Sequence, residues 1–322
     1  MDKGRRHFLT ASVLVPWMFA SACSNQPPIT RVGGSLRIGS EPLFLARELG
    51  LYGDNILRLV EMPSNSANLM ALVTGDIEAA TLTLDECLYA REGGVDVRVI
   101  LVFDYSVGRT VIMCRPEISK LLDLKGRRIG VEENAASALM LARVLETAGL
   151  APHEVVKVRV TGDQQLRAYQ AGEVDAVVSW EPISTQLEAA GAHRLFDSMA
   201  FPGLIVDVLA ARADALERSP ESFRTLLAGY FQALDYLRSS PQDATRRMAP
   251  RMGLRPDQVR SARGGIQVIE LAANRDWLDG ARPGLIAAAD KVARSRIAAG
   301  LLKQMPMLGG LADPRFLPGP TR

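Results

Sequence analysis

Histidine and cysteine are scarce in this chain of 322 residues, with three of each. They are His7, His153 and His193, together with Cys23, Cys87 and Cys114. No two of them stand at the short spacing that zinc ligands use. The sequence therefore argues against a zinc site and against a nucleophile built from cysteine and histidine.

A strong charge bias is also missing. The formal net charge is +2 at pH 7, and no basic run occurs after the first six residues. This distribution indicates neither a nucleic-acid footprint nor a polyanionic partner. A hydrophobic content of 48% with only 6% aromatic residues is ordinary for an α/β protein rich in helices.

No hydrophobic run at the amino terminus is long enough for a permanent membrane helix. The apolar run from Ala11 to Ala20 has about ten residues, which is too few for a hydrocarbon core ~30 Å thick. It follows a basic start and ends at small residues, as export signals do. The pair Arg5-Arg6 resembles the twin-arginine export motif, and a general secretory signal is the alternative.

Cys23 follows the small residues Ala20-Ser21-Ala22 and resembles the lipid acceptor of a lipoprotein. The lipoprotein motif prefers leucine where Ala20 stands, and the same residues also fit ordinary signal-peptidase cleavage. We expect residues 1–22 to be a signal peptide, Cys23 to be lipidated and residues 23–34 to be a polar tether. The protein would then lie in the periplasm or at the cell surface as a membrane-anchored lipoprotein.

One pattern occurs twice in the chain. Residues 69–79, LMALVTGDIEA, are echoed by residues 166–176, LRAYQAGEVDA. Each copy predicts a helix that ends at a left-handed glycine and is followed by an apolar strand. Chance similarity between two ordinary helix–strand units is the alternative, but a matching pair of upstream segments favours two similar α/β halves.

Strands alternate with helices through both halves. The predicted strands cover residues 36–39, 56–62, 79–84 and 96–104, then 109–114, 128–132, 155–161, 176–180 and 193–196. This alternation predicts mostly parallel sheets flanked by helices. Residues 204–211, LIVDVLAA, form a further strand without a helix–strand unit before it, so we expect the chain to return there to the first half. The region after residue 219 is predicted to be helical.

Several motifs, in this order and spacing, resemble one known family. They are EPLFLA at residues 41–46, SNS at 64–66, GDIEAA at 75–80, LKGRRIG at 124–130 and GEVDAVVSWEP at 172–182. Together they make the chain similar to the ABC-importer solute-binding proteins that take nitrate, alkanesulfonates, taurine and thiamine precursors. The resemblance implies a two-lobed periplasmic-binding fold of type II, with a ligand held in the cleft.

The resemblance also implies an organisation and partners. We expect lobe one to combine residues 35–105 with 207–322, and lobe two to cover residues 106–206. The implied partners are a small-molecule ligand and the permease subunits of an ABC importer in the inner membrane. We expect a monomer that uses no cofactor, no metal and no nucleic acid.

The candidate ligand contacts are the polar residues that follow the predicted strands, because ligands of open α/β sheets lie beyond the carboxyl ends of strands. They are Ser40, Glu41, Ser64, Asn65, Ser66, Thr83 and Asp85 in lobe one, Glu133, Asn134, Ser137, Gln164, Trp180 and Glu181 in lobe two, and Asp104, Tyr105 and Asp207 near the crossings. The residues at 64–66 could be helix caps only, and Trp180 could belong to the core. A tryptophan at a cleft would also suit stacking on a planar or cationic ligand.

The charges of these candidates bear on the ligand. They include the carboxylates Glu41, Asp85, Glu133, Glu181 and Asp207 but hardly a base. The nearest base, Arg109, begins a predicted strand instead of following one. An anion-binding member of the family would be expected to offer arginine or lysine. We therefore expect a neutral or cationic ligand, an amine or a heteroaromatic compound, of which a thiamine-like pyrimidine is one example.

Two other functions remain open at this point. Relatives of the family include a pyrimidine synthase that consumes a histidine, so an enzyme on the same fold is an alternative. His153 and His193 fall outside the predicted cleft, which favours a binding protein without catalytic activity. A ligand-sensing subunit of a membrane receptor would use the same site, and the sequence does not separate it from transport.

Overall fold

The computed structural model describes residues 29–53, 55–106, 108–200, 205–264, 266–281, 283–298 and 300–319. The expected signal peptide, the expected lipidation site Cys23 and the first half of the expected tether, residues 23–28, lie outside these residues. Among the described residues, no helix combines the length and the apolar character that crossing a membrane requires.

Strands and helices alternate as the sequence predicts. The strands are β1 (Thr30–Gly34), β2 (Leu57–Glu61), β3 (Ala79–Thr83), β4 (Val97–Ser106), β5 (Thr110–Cys114), β6 (Arg128–Val131), β7 (Val156–Arg159), β8 (Ala176–Trp180), β9 (His193–Asp197), β10 (Val206–Arg212) and β11 (Ile266–Val268). The helices are α1 (Glu41–Glu48), α2 (Asn65–Thr74), α3 (Leu84–Glu92), α4 (Ala135–Ala148), α5 (Gln165–Gln170), α6 (Ile183–Ala189), α7 (Ala213–Arg218), α8 (Pro220–Ser239), α9 (Pro241–Met252), α10 (Pro256–Arg263), α11 (Leu271–Leu278) and α12 (Gly284–Ala298).

These strands form two mixed sheets in the described part of the chain. The first sheet has the order β11-β4-β10-β3-β1-β2, and the second has the order β7-β6-β8-β5-β9. Neighbours among β1, β2 and β3 are parallel, as are β6 with β7 and β8. The remaining pairs are antiparallel. The predicted α/β class with two mixed sheets flanked by helices is confirmed. The sheets are not mostly parallel as predicted, because five of the nine described strand pairs are antiparallel.

Strand β10 carries the segment that the sequence expects to return to the first half. It pairs with β3 and β4, and Asp207 lies opposite both Thr83 and Asp104. This register brings the two crossings between the sheets to one place, next to the carboxyl end of β3. The boundaries proposed for the two lobes stay a prediction.

The first strand lies earlier in the chain than predicted. Strand β1 is a buried inner strand between β2 and β3, so the tether does not extend to Gly34. Residues 36–39, predicted to be this strand, form the loop that follows it. The pair Gly33-Gly34 suggested a linker, but packing requires the small residue: a Cβ at Gly33 would lie 2.5 Å from Asn68 Oδ1.

Helix ends follow the local signals in the sequence. Gly75 and Gly149 end α2 and α4 in the left-handed conformation, with φ values of 83° and 67°. The Ser64 hydroxyl accepts a hydrogen bond of 3.1 Å from Ala67 N at the start of α2. These stops and caps fix where each helix begins and ends, and hence which residues face the space between the sheets.

Candidate functional site

The loops after β1 and β8 meet between the two sheets. The indole Nε1 of Trp180 donates a hydrogen bond of 3.3 Å to Leu36 O, and Ile38 N donates one of 3.4 Å to Glu181 O. Gln186 Nε2 donates one of 2.7 Å to Met252 O. Each bond joins a residue of the second sheet's lobe to one of the first, so the cleft is closed.

Two cavities lie in this closed cleft and share Trp180 as a wall. The polar cavity has a volume of about 20 Å³ and is lined by three isoleucines and by polar residues and a glycine that include Arg37, Gly39, Asp104, Arg109, Glu181 and Asp207. The apolar cavity has a volume of about 260 Å³ and is lined by residues that include Ser35, Leu36, Met62, Ser64, Gly162, Asp163, Leu166, Ile183 and Gln186. A space of ~10–15 Å³ already holds one water-sized group. The polar cavity therefore fits a single small head group, and the apolar cavity fits a small organic body.

Arg37 is the central base of the polar cavity. Its Nη1 lies 3.2 Å from the Asp207 carboxylate, and its guanidinium carbon lies 4.9 Å from the centre of the Trp180 ring. Burial acts to lower the pKa of Arg37, but the surrounding carboxylates, Asp207 foremost, raise its pKa above the usual value. Arg37 is not among the predicted contacts because residues 36–39 were predicted to form a strand. In the structure Arg37 lies in the loop after β1. Polar residues in such positions were the candidate contacts, so a correct strand boundary would have included Arg37.

Asp104 faces the polar cavity with an unpartnered oxygen. The side chain is 2% exposed, and its Oδ2 has no hydrogen-bond partner in the described structure. Burial, and next the charge of Asp207, raise the pKa of Asp104 well above its usual range, and Arg37 offsets this only in part. Gly39 is in contact with this oxygen, because a Cβ at position 39 would lie 1.6 Å from Oδ2. The cavity therefore contains a buried carboxyl group that favours its neutral form.

Glu181 and Arg109 form a second pair at the polar cavity. Arg109 Nη1 lies 3.1 Å from Glu181 Oε1, and Thr185 Oγ1 donates a bond of 2.7 Å to Glu181 Oε2. Burial lowers the pKa of Arg109, although the charge of Glu181 opposes the shift. Arg109 reaches the cleft although it precedes β5, because β5 runs antiparallel to β8 and Thr110 pairs with Trp180. The start of one strand therefore lies beside the end of the other.

Glu132 lies between the lobes, although the sequence analysis selected its neighbour Glu133. Glu132 is 1% exposed. Its Oε1 accepts bonds from Ser66 N at 3.1 Å and Ser66 Oγ at 3.0 Å, and its Oε2 accepts one of 3.0 Å from Gly162 N. Glu133 points outward and pairs with Arg159 at the surface. The one-residue difference follows from the loop after β6, which turns only the first carboxylate inward.

A polar network lies behind the apolar cavity. The Ser35 hydroxyl donates to Asn65 Oδ1, and Asn65 Nδ2 donates a bond of 3.0 Å to Glu86 Oε2. The same Glu86 oxygen accepts a bond of 2.8 Å from Thr83 N. Burial, and next the charge of Asp85, raise the pKa of Glu86 to about 8. Asn65 is thus both a helix residue and a link between the cleft and a buried carboxyl group.

Five of the predicted contacts line the two cavities. They are Ser64, Asp104, Trp180, Glu181 and Asp207. Asn65 and Ser66 do not line them but bond to groups of the cleft. Trp180 lines both cavities and also packs in the hydrophobic core of the second sheet, as predicted for a core residue. Its stacking on a ligand stays a prediction.

The other predicted contacts line neither cavity. They are Ser40, Glu41, Thr83, Asp85, Tyr105, Glu133, Asn134, Ser137 and Gln164. Asp85 forms a buried ion pair with Arg296, with 2.8 Å between Nη2 and Oδ2. Glu41 pairs with Arg251 outside the cleft, and burial raises the pKa of Glu41 to about 7. Both carboxylates follow strands, as candidate contacts should. Each pairs with an arginine from a distant helix, however, and neither lines the ligand space.

Several of these residues have plain structural roles instead. Ser137 N donates a bond of 2.8 Å to Asn134 Oδ1, which caps α4. Tyr105 stacks on Trp277 with 6.4 Å between the ring centres. The Ser40 hydroxyl donates to Arg37 O at 3.3 Å and holds the loop after β1.

Neither a histidine nor a cysteine lines the two described cavities. In the described structure, no group of three or more histidine, cysteine, aspartate or glutamate side chains could hold a metal ion. Cys87 and Cys114 are buried in hydrophobic cores, and burial raises the pKa of Cys114 to about 12. His153 and His193 line neither cavity.

Comparisons with known proteins agree with this architecture. A protein of Escherichia coli K12 named for binding aliphatic sulfonates is 28% identical over 251 residues, which cover 76% of this chain and 78% of that one. The alkanesulfonate-binding protein of Xanthomonas axonopodis pv. citri, solved with MOPS bound, has a TM-score of 0.72 at 20% identity, covering 90% of this chain and 98% of that one. A desulfurization enzyme has a TM-score of 0.62 at 18% identity, covering 89% and 97%. At these identities the two structures show the fold alone.

The match to a protein family is more specific than the shared fold. Residues 38–244 match the family described as NMT1/THI5 like. This stretch contains all the motifs on which the predicted resemblance rests, and the resemblance is confirmed. Because the match spans well over half of the chain, the protein belongs to the NMT1/THI5-like family.

Proposed function

We propose that this protein is the extracytoplasmic solute-binding subunit of an ABC importer and that it captures a small neutral or cationic molecule, an amine or a nitrogen heterocycle. The observation that carries the choice of ligand is the unpartnered, buried Oδ2 of Asp104 in a cavity of about 20 Å³. A buried polar oxygen without a partner is costly. An N–H donor of a ligand would supply the missing bond.

The charges around the cleft support a cation or a neutral donor over an anion. Arg37 is paired with Asp207 and Arg109 with Glu181. Asp104 is a further carboxyl group in the same cavity and belongs to neither pair. An anion would have to displace a carboxylate from an arginine, whereas an ammonium group would donate charge-assisted hydrogen bonds to the Asp104 carboxylate once Asp104 releases its proton.

The shapes of the two cavities support a ligand with a small head and an apolar body. The head group would lie in the polar cavity against Asp104. The body would lie in the apolar cavity of about 260 Å³, whose walls include Leu36, Met62 and Ile183. Trp180 borders both cavities, so its indole would contact the ligand where head and body join.

A sulfonate is the second candidate, and the relatives favour it. The E. coli relative is named for aliphatic sulfonates, and the Xanthomonas protein binds alkanesulfonates. Calorimetric titration of the mature protein separates the two candidates, with alkylamines and aminopyrimidines on one side and alkanesulfonates, taurine and nitrate on the other. We expect micromolar binding of an amine.

A substitution identifies the group responsible. Asp104→Asn should weaken amine binding roughly 10- to 100-fold, because one charge-assisted hydrogen bond is worth ~1.5–3 kcal/mol. Asp163→Asn is the control, since Asp163 borders the apolar cavity but is exposed. Micromolar binding of a sulfonate that is unchanged by Asp104→Asn, with no amine bound, would establish the second candidate instead.

We also propose export to the periplasm or the cell surface, membrane anchoring through Cys23, and delivery of the ligand to permease subunits. The family relationship supports the location, and the sequence around Cys23 supports the anchor. A ligand-sensing subunit of a membrane receptor would use the same site. Loss of ligand uptake on deletion of the gene supports transport over sensing.

We propose no catalytic activity for this chain. The described histidines and cysteines lie away from both cavities, and the structural similarity to a desulfurization enzyme is one of fold. Incubation of the protein with pyridoxal phosphate and iron should therefore yield no pyrimidine product.

A further inference from the structure

Glu132 is a buried carboxylate that bridges the two lobes through hydrogen bonds. It forms no salt bridge among the described residues, although its charge contributes to the raised pKa of Arg37. On one side it accepts the Ser66 N–H and hydroxyl, which belong to the first turn of α2 in the first sheet's lobe. On the other side it accepts Gly162 N–H, at the start of a short 3-10 turn after β7. All three bonds measure 3.0–3.1 Å.

Such a set of donors is the kind that binds anions. Backbone N–H groups at the start of a helix carry partial positive charge and point outward, and a hydroxyl beside them adds a further donor. Here the donors come from both lobes and converge on one point. A small external anion that contacted all three donors would hold the lobes together, and the Glu132 carboxylate already does so.

We propose that Glu132 is a specificity-determining residue that acts as an internal anion: it holds the cleft closed and denies anionic ligands the donors of Ser66 and Gly162. The inference rests on the proposed function only in that the cleft must open to admit a ligand. It gives a physical reason why this chain would reject sulfonates.

The neighbouring residue provides a matched control. Glu133 has the same side chain, and its carboxylate is 48% exposed and bound to Arg159 on the surface of the second lobe. Glu132→Gln and Glu133→Gln therefore remove one negative charge each from adjacent positions. Only the first change removes it from the contact between the lobes.

The first measurement is the conformation of the ligand-free, mature protein, by small-angle X-ray scattering. We expect Glu132→Gln to increase the radius of gyration, because the amide group turns a donor toward Ser66 or Gly162. Glu133→Gln should leave the scattering profile as it is. Ser66→Ala tests the same contact from the other lobe and should open the cleft in the same direction. If both Glu132→Gln and Ser66→Ala give the parent profile, the proposal is wrong.

The second measurement is titration with methanesulfonate as the probe anion. Glu132→Ala leaves the N–H and hydroxyl donors of Ser66 and Gly162 without their acceptor. We therefore expect the affinity of this variant for methanesulfonate to exceed that of the parent by about tenfold or more. Glu133→Ala should bind as the parent does, and equal affinity in the two alanine variants would overturn the role in specificity. Scattering needs no ligand, so a failure of this proposal is distinguishable from failure of amine binding, which Asp104→Asn tests.

Discussion

The ion pair between Asp85 and Arg296 should contribute strongly to stability and little to ligand binding. Both side chains are 1% exposed, and 2.8 Å separates Arg296 Nη2 from Asp85 Oδ2. The pair joins α3 to α12, two helices packed in the same hydrophobic core. Removing one partner of a buried pair costs about 3–5 kcal/mol, because the other charge stays buried.

Arg296→Met should be the more damaging of two single changes. It leaves the Asp85 carboxylate buried next to Glu86, whose pKa the charge of Asp85 already raises. Asp85→Asn removes that repulsion and keeps an oxygen that can accept from Arg296. The double variant should lose about 2 kcal/mol less than the sum of the single losses, since it buries no uncompensated charge.

Urea unfolding followed by circular dichroism measures these differences. With a slope of roughly 3 kcal/mol per molar urea, a loss of 3–5 kcal/mol lowers the midpoint by about 1–1.7 M. Asp290→Asn is the control, because the pair of Asp290 with Arg294 lies on the exposed face of the same helix. Its midpoint should match that of the parent. Strictly additive losses, or single variants within about 0.3 M of the parent, would refute the reasoning.

Four further predictions concern the cleft, a buried acid and the anchor. Gly39→Ala should abolish amine binding, because its Cβ would lie 1.6 Å from Asp104 Oδ2, and binding that persists in calorimetry would contradict the proposed site. Amine binding should release a proton from Asp104, whose pKa is raised well above its usual range, so affinity should increase with pH and the heat should vary with the buffer's ionisation enthalpy. Glu86→Gln should stabilise the protein more at pH 9 than at pH 5. Burial, and next the charge of Asp85, raise the pKa of Glu86 from 4.5 to about 8 on folding, so the parent loses stability as pH rises through this window. Equal thermal shifts at both pH values would argue against this prediction. Cys23→Ser should release the protein from membranes, and identical fractionation of variant and parent would exclude lipidation.

Local patterns in the sequence determined most of the secondary structure. The segment AVVSW was predicted as residues 176–180 and forms β8 with the same bounds. Gly75 and Gly172 were expected to be left-handed at the ends of helices, and both are, with φ values of 83° and 73°. Such features depend on a few neighbouring residues, because a glycine stop or an apolar strand is decided by local sterics and burial.

The position of the first strand depended on tertiary packing. The pair Gly33-Gly34 is typical of a linker. In the structure, however, the side chains of Asn68 and Phe44 approach the two glycines so closely that larger residues would not fit. This error moved Arg37 from the loop to a strand and removed the central base from the predicted site. Arg109 was missed for a related reason, since only the antiparallel pairing of β5 with β8 brings it to the cleft.

The sequence also determined that carboxylates cluster near the strand ends, but the structure decided which of them face the ligand space. Asp207 pairs with Arg37, which is 170 residues away, Glu41 with Arg251, 210 residues away, and Asp85 with Arg296, 211 residues away. A carboxylate can be counted in a sequence, whereas its neutralising guanidinium is found only when distant helices pack together. The sign and strength of the field in the cleft are therefore tertiary properties, because Coulomb interactions depend on distance in space and not along the chain.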